Sequence, residues 1–388
     1  MRNSFLTFGA PDLQATEIAE VVSALEVGWI GTGPRVHQFE HDFAAYKRLP
    51  ANQAAAVNSC TAALHLSLIA AGLGPGDEVI TSALTFCATV NAIIHCGAQP
   101  VLADVDPVTM NLDPDDVARR ITSRTRAILP VHFAGRPCDM DRLCRLAESH
   151  GLQIIEDCAH AIEGEYHGKP LGTLGDFGCF SFYVTKNITC GEGGMVIARN
   201  EGQLKRVKRL ALHGLSHDAW ERFSDKGYKH YQVTECGYKY NMMDLQAAIG
   251  LHQLGRIEAS WQRRAELWDR YQRELAGLPL IRPAAPDPDT RHALHLYTVL
   301  IDPQRTGLPR DSVLAKLHER NIGAGVHYLS LAEHPYYQAR YGWQPEAWPH
   351  AQRIGRQTLS LPLSPKLSDH DQHDVIAALV EIFETNTS

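Results

Sequence analysis

The sequence has no CxxC or CxxH pair, and its nine cysteines, at positions 60, 87, 96, 138, 144, 158, 179, 190 and 236, are an odd number. Neither a disulfide framework nor a zinc site is suggested, and no metal is expected. Most of these thiols should be buried small hydrophobes. No apolar run reaches the roughly 18 residues that would span a bilayer. Met1-Arg2-Asn3-Ser4-Phe5 carries no signal-peptide core, so a reducing cytoplasm is the expected compartment. Positive charge is not in excess: the net charge is −7, which gives no reason to expect nucleic acid or an acidic membrane surface. The most basic run, Lys205 to Arg209, reads as a solvated helix face. There is no internal repeat and no low-complexity tract. No GxGxxG opens the first strand–helix turn, which speaks against a dinucleotide oxidoreductase.

What is there fits a soluble globular chain: 388 residues, 44% hydrophobic and 21% charged. That length exceeds one ordinary core and suggests two domains. From Ala54 the pattern runs strand, turn, helix, repeatedly. Expected strands are Ala54 to Val57, Glu78 to Thr81, Pro100 to Val105, Ala127 to His132 and Gln153 to Glu156. Expected helices lie between them, preceded by one over Ala15 to Leu25 with apolar residues at Ile18, Ala19, Val22 and Leu25. This alternation implies a mostly parallel sheet with helices on both faces. A helix is expected over 201–213, then a polar, aromatic stretch over 216–236, then one long helix from Met243 to about Ala276. The boundary between a large domain, 1–255, and a smaller α+β domain, 256–388, is placed there. In the second domain a strand is expected at Leu294 to Ile301, with helices at Arg310 to Arg320 and Asp371 to Phe383.

Ligands of such sheets gather at the carboxyl ends of the strands, where Ser59, Thr61, Phe86, Asp157 and His160 all fall. Asn58-Ser59-Cys60-Thr61 can cap a helix or leave its free N–H groups for a phosphate. Gly28-Trp29-Ile30-Gly31-Thr32-Gly33 makes either a ligand-approaching loop or a hydrophobic lid. An aromatic run with one serine, Gly178 to Val184, precedes Lys186, and Gly191-Glu192-Gly193-Gly194 opens a second apolar run. A lysine beside a buried strand is costly to keep charged. Burial lowers its pKa and makes it a nucleophile able to form Schiff bases, the chemistry of a pyridoxal phosphate (PLP) enzyme; otherwise it ends the strand and points to water. Asp157, at the end of an apolar strand, either caps the next turn or stands opposite a pyridine nitrogen and keeps it protonated.

Ser181-x4-Lys186 with its Gly-Glu-Gly-Gly turn, Glu156-Asp157-x-Ala159-His160-Ala161 and Gly237-Tyr238-Lys239-Tyr240-Asn241 resemble the DegT/DnrJ/EryC1/StrS family of nucleotide-sugar aminotransferases. The resemblance runs from Gly28-Trp29-Ile30 to Ser360-Leu361-Pro362-Leu363. It is nearest to the UDP-4-amino-4-deoxy-L-arabinose aminotransferase branch, through Thr32-Gly33-Pro34 and Lys186-Asn187-Ile188-Thr189-Cys190. It implies the PLP-dependent aspartate-aminotransferase-like fold (fold type I) and a homodimer with shared active sites.

The resemblance also implies roles. Lys186 would bond the cofactor and shuttle the proton, Asp157 would face the pyridine nitrogen, and His160 would lie near the 3-hydroxyl. Cys60, Thr61 and Ser181 would form the phosphate cup, Phe86 would stack on the ring, and Asn241 would reach the cofactor phosphate of the other subunit. Trp29, Thr32, Asn187, His213, His327 and Tyr328 lie in segments that the family uses around the sugar. Glutamate would be the amino donor, released as 2-oxoglutarate. The acceptor would be a nucleotide-linked keto sugar, aminated at C4 rather than C3, with UDP favoured over dTDP and GDP. Three positions depart from the branch: Cys158 for alanine or serine, Phe86 for tryptophan and Gly191 for alanine. Sugar dehydratases on this fold replace the lysine by histidine; this chain keeps Lys186.

Overall fold

The computed structural model describes residues 2–215 and 231–384. Two helices precede the first strand. α1 (Ala15–Val27) stops at Gly28, whose φ of 76° suits a residue without a Cβ. α2 (Pro34–Tyr46) begins on a proline, where the missing N–H has no intrahelical use. Periodicity alone carried α2: Val36, Phe39, Phe43 and Ala44 recur at helical spacing and are buried, a signal masked by the polar residues between them.

The expected alternation follows as β1 (Ala54–Val57), α3 (Cys60–Ala70), β2 (Glu78–Ser82), α4 (Cys87–His95), β3 (Gln99–Ala103), α5 (Pro114–Arg120), β4 (Thr125–Leu129), α6 (Met140–His150) and β5 (Gln153–Asp157). A short β6 (Glu165–Tyr166) and β7 (Lys169–Pro170) intervene before β8 (Phe177–Ser181), β9 (Gly194–Ala198) and α7 (Glu201–Ala211). The seven-stranded sheet has the order β1-β9-β8-β5-β4-β2-β3. β2, β3, β4, β5 and β8 are parallel, and β9 runs against both β1 and β8. Most strand positions are buried because both faces are covered. Along β8, Phe177 and Cys179 join one core with Leu64, Leu66 and Val196, while Phe180 joins another with Phe39, Phe43 and Met195. This is the period-two alternation of a pleated strand buried on both sides.

The single long helix expected from Met243 is two: α8 (Asp244–Gly255) and α9 (Ile257–Glu274). The break falls where Gly255, a poor helix former, meets Arg256. The Arg256 guanidinium is drawn sideways onto the Glu17 carboxylate and onto Asp12 O at 2.6 Å. Beyond it come β10 (Thr290–Arg291), β11 (Tyr297–Leu300), α10 (Pro303–Thr306), α11 (Arg310–Glu319), α12 (Pro335–Tyr341), α13 (Pro349–Gln357), β12 (Thr358–Leu361) and α14 (Asp369–Glu384). β11 and β12 pair antiparallel, and β10 extends the β6–β7 hairpin. A separate core of Leu267, Trp268, Tyr271, Tyr297, Val299, Leu359 and Leu379 holds this part.

The apolar stripe of α1 turns outward. Ile18, Val22 and Leu25 are 61%, 46% and 55% exposed, while Glu17 and Ala24 face in. Glu17 is tolerated there because Arg256 and Gln253 pair with it. The polar stretch expected over 216–236 lies mostly outside the described residues, which resume at 231. Among the described residues no helix is long and apolar enough to cross a membrane.

Candidate active site

Lys186 stands on a short excursion from the sheet. Phe182 closes it at the base, donating its N–H to Gly193 O at 2.9 Å and accepting the N–H of Cys190 at 2.9 Å. The Lys186 N–H is itself held by Tyr183 O at 2.9 Å. The side chain is half-buried. Burial pushes its amine down to about 8, and Asp157 only partly offsets this. Among the described residues no hydrogen bond ties down Nζ, so the nitrogen is free to react.

Asp157 ends β5, buried at 4% exposure. Its Oδ2 accepts the Thr89 hydroxyl at 2.9 Å and its Oδ1 accepts the Ala159 N–H at 3.1 Å. Burial nonetheless raises its pKa above the usual carboxylate value, more than these bonds and Lys186 lower it. Such a carboxylate has lone pairs left over and, among the described residues, lacks a cation at contact distance. A protonated pyridine nitrogen would supply that cation.

At the other end of the site the Ser59 hydroxyl caps α3, accepting the Ala62 N–H at 3.1 Å. A Cβ added at Gly194 would lie 2.5 Å from Ser59 C and O and 2.8 Å from Cys60 N. Only glycine lets β9 approach the helix start this closely. The first turn, with Cys60 and Thr61, presents free N–H groups at the positive end of α3, a ready anion cradle. Burial pushes the Cys60 thiol well up, and its thiol feels both Asp157 and Lys186, which puts the cradle and the lysine in one site. Ser181, at the end of β8, is buried beside them.

Phe86 is the N-cap residue of α4 and is 55% exposed, with its ring 5.8 Å from that of Tyr328. His160 accepts the Ala134 N–H at Nδ1, at 3.2 Å, so its proton sits on Nε2 and is donated to Tyr328 Oη at 3.0 Å. The rings of His160 and Tyr328 stack at 6.0 Å. Burial holds His160 well below the usual histidine range, so it is neutral, and pushes the Tyr328 phenol up. His327 is tied through Nδ1 to Ser360 Oγ at 2.9 Å, and its pKa is held down to about 4 by burial and by Lys186.

The remaining candidates fall elsewhere. Trp29 Nε1 donates to Thr32 O at 3.0 Å, and Asn241 Nδ2 donates to Thr32 Oγ1 at 2.6 Å. Asn241 sits beside the end of β1, bridged to Val57, and its Oδ1 is closed off from solvent without a partner among the described residues. His213 follows α7, with its N–H on Tyr238 O at 2.8 Å. Asn187 points away from the sheet edge into a buried polar cluster with Glu163, Arg264 and His295. These three, and Thr89, are site neighbours that no local motif marked. The buried group His132, Glu156 and Cys158 has metal-like spacing. However, the Glu156 carboxylate accepts His132 Nε2 at 3.1 Å and the N–H groups of Gly172, Leu174 and Gly175 at 2.8, 2.8 and 2.6 Å. Its lone pairs are used as a brace for the strand that carries Asp157.

Residues 11–380 match the DegT/DnrJ/EryC1/StrS aminotransferase family. The chain is 48% identical over 383 residues to the spore coat polysaccharide biosynthesis protein SpsC of Bacillus subtilis, covering 98% of each. The fold is similar to that of the candidate sugar aminotransferase Spr1654 of Streptococcus pneumoniae in its PMP-form, with a TM-score of 0.91, 33% identity, and 98% and 99% of the two chains covered. The PLP-form of that protein matches with a TM-score of 0.90 at 32% identity, over 98% and 99% of the chains. Helicobacter pylori PseC, an aminotransferase involved in the biosynthesis of pseudoaminic acid, matches with a TM-score of 0.90 at 26% identity, over 99% and 100% of the chains. A buried carboxylate wanting a cation, a helix start open to an anion and a lysine whose hold on its proton is weakened by burial fit PLP, and the chain belongs to the DegT/DnrJ/EryC1/StrS family as a PLP-dependent sugar aminotransferase.

Proposed function

We propose that this enzyme transfers the amino group of glutamate to the C4 carbon of a nucleotide-linked keto sugar, with a UDP sugar favoured, in the cytoplasm. PLP, when bound, carries the amino group and draws electrons from the carbon that loses its proton. The work of the chain is to hold it and move protons. Lys186 Nζ, whose amine is held near 8, takes the proton from the donor's Cα and returns it one carbon away. The Asp157 carboxylate keeps the ring nitrogen protonated through a field set before reaction. The N–H groups of Cys60 and Thr61 with Ser181 would hold the phosphate, and Phe86 would stack on the ring. His160, its Nε2–H donated to Tyr328 Oη, would lie near the ring hydroxyl together with Tyr328, whose own O–H is left to give. The observation that carries this reading is the lowered lysine and the under-satisfied aspartate in one site.

The acceptor and its use rest on likeness. SpsC belongs by name to polysaccharide biosynthesis and PseC to that of pseudoaminic acid, which supports an amino sugar for a surface glycan or lipopolysaccharide. A homodimer is supported by the outward stripe of α1, since a contiguous apolar face marks an interface. Shared sites rest on the likeness of Gly237-Tyr238-Lys239-Tyr240-Asn241 to the family segment whose asparagine reaches the cofactor phosphate of the other subunit. Residues 1–255 would serve as the large domain and 256–388 as the small one.

Two measurements test the reading. Lys186→Ala should abolish turnover while PLP stays bound non-covalently; retained turnover would remove Lys186 from its role. The aminated enzyme, offered UDP-, dTDP- and GDP-linked 4-keto and 3-keto sugars, should convert a UDP-4-keto sugar, with the product identified by mass and NMR. A product aminated at C3 would overturn the regiochemistry.

A further inference from the structure

Asn187 follows Lys186 directly, and both of its amide hydrogens are engaged by the protein. Nδ2 donates to Glu163 Oε2 at 2.7 Å and to Ala293 O at 2.8 Å. This fixes the amide's orientation, so Oδ1 is the acceptor facing His295 Nδ1 at 2.8 Å, and His295 carries its proton there. The Asn187 carbonyl accepts Arg264 Nη2 at 3.0 Å. Glu163 and Arg264 are buried at 1% and 3% exposure, with Arg264 Nη1 at 3.4 Å from Glu163 Oε1.

Burying such a pair is expensive and rarely improves stability over an apolar replacement, so its position calls for another reason. Glu163 comes from the loop after β5, Arg264 from α9, and Ala293 and His295 from the segment entering β11. Three distant stretches therefore converge on the residue beside the lysine. The His295 ring also lies 4.4 Å from that of His160, which links the cluster to the other side of the site.

We infer that Asn187 is a positioning residue, and that the Glu163–Asn187–His295–Arg264 cluster sets the register of the backbone from which Lys186 reaches the cofactor. The inference rests on the reading of Lys186 as the lysine that bonds PLP. Its rival is direct contact between Asn187 and the sugar.

Asn187→Ala and Glu163→Gln separate the two, because Glu163 is sealed off from substrate. In the cofactor-free protein, the pH dependence of Lys186 acylation is followed by mass spectrometry of its peptide. In the wild type the midpoint should lie near 8. In Asn187→Ala it should move toward 10.5, as a loosened loop lets the amine reach water. Glu163→Gln should move it in the same direction by less, since glutamine still accepts from Asn187. In the loaded enzyme, the half-reaction with glutamate alone should slow about tenfold or more in Asn187→Ala, with KM for the sugar unchanged. The inference is overturned if Asn187→Ala raises only the sugar KM and Glu163→Gln matches the wild type. Glu163→Gln decides alone should Asn187→Ala not fold. A wild-type enzyme whose visible absorption glutamate leaves unchanged would overturn the assignment of Lys186, and the inference with it.

Discussion

Burial acts on Lys186 and Asp157 in opposite senses, and both shifts disfavour the charged form. The folded amine loses its proton near 8 and the unfolded one near 10.5. Below 8 the cofactor-free fold therefore carries the full penalty of a buried ammonium, and the penalty fades as pH rises from 8 to 10.5. Lys186→Met should raise the melting temperature of the cofactor-free protein at pH 7 and give a shrinking gain across that window, measured by thermal unfolding. For Asp157 the sign is reversed: no penalty exists below its unfolded pKa, and it grows as the pH rises from that value to the higher folded one, above which it is complete. Asp157→Asn should likewise stabilise the cofactor-free protein at pH 7 but not at pH 3, while lowering kcat of the loaded enzyme by about 100-fold or more. Thr89→Val, which removes one of the two donors to Asp157, should cost about 1–2 kcal/mol of stability and weaken PLP binding, read by melting and cofactor titration.

At the scale of the element, the site depends on how closely strand ends and helix starts approach. Gly194→Ala would drive a methyl group into the Ser59 carbonyl and the Cys60 N–H, pushing β9 and α3 apart at the anion cradle. Overpacking of this kind costs about 1–3 kcal/mol. Cofactor affinity should fall while circular dichroism stays native-like; unchanged affinity would mean that the start of α3 does not hold the phosphate. The elements themselves were largely legible, because hydrophobic period and turn residues are local. The break between α8 and α9 was not: Gly255 hinted at it, but the side chain that bends the path, Arg256, is held by Asp12 and Glu17 from far upstream.

For the whole molecule, the outward face of α1 is the feature most open to test. Val22→Glu or Leu25→Glu should leave the fold intact and shift sedimentation toward a monomer, with activity falling if the sites are shared between subunits. A variant that still sediments as the parent does would place the interface elsewhere. The alternation of strands and helices, the strand-end positions of Asp157 and His160, and the lysine after β8 could all be read along the chain, since each depends on neighbours a few residues away. Which side of α1 turns inward could not, because an apolar stripe has the same spacing whether it meets a core or water. Nor could the company of Asn187, whose partners lie 24, 77 and 108 residues distant. Burial chooses such partners: a polar group enclosed by the fold must be satisfied by whatever the packing brings within reach, and only the assembled chain decides what that is.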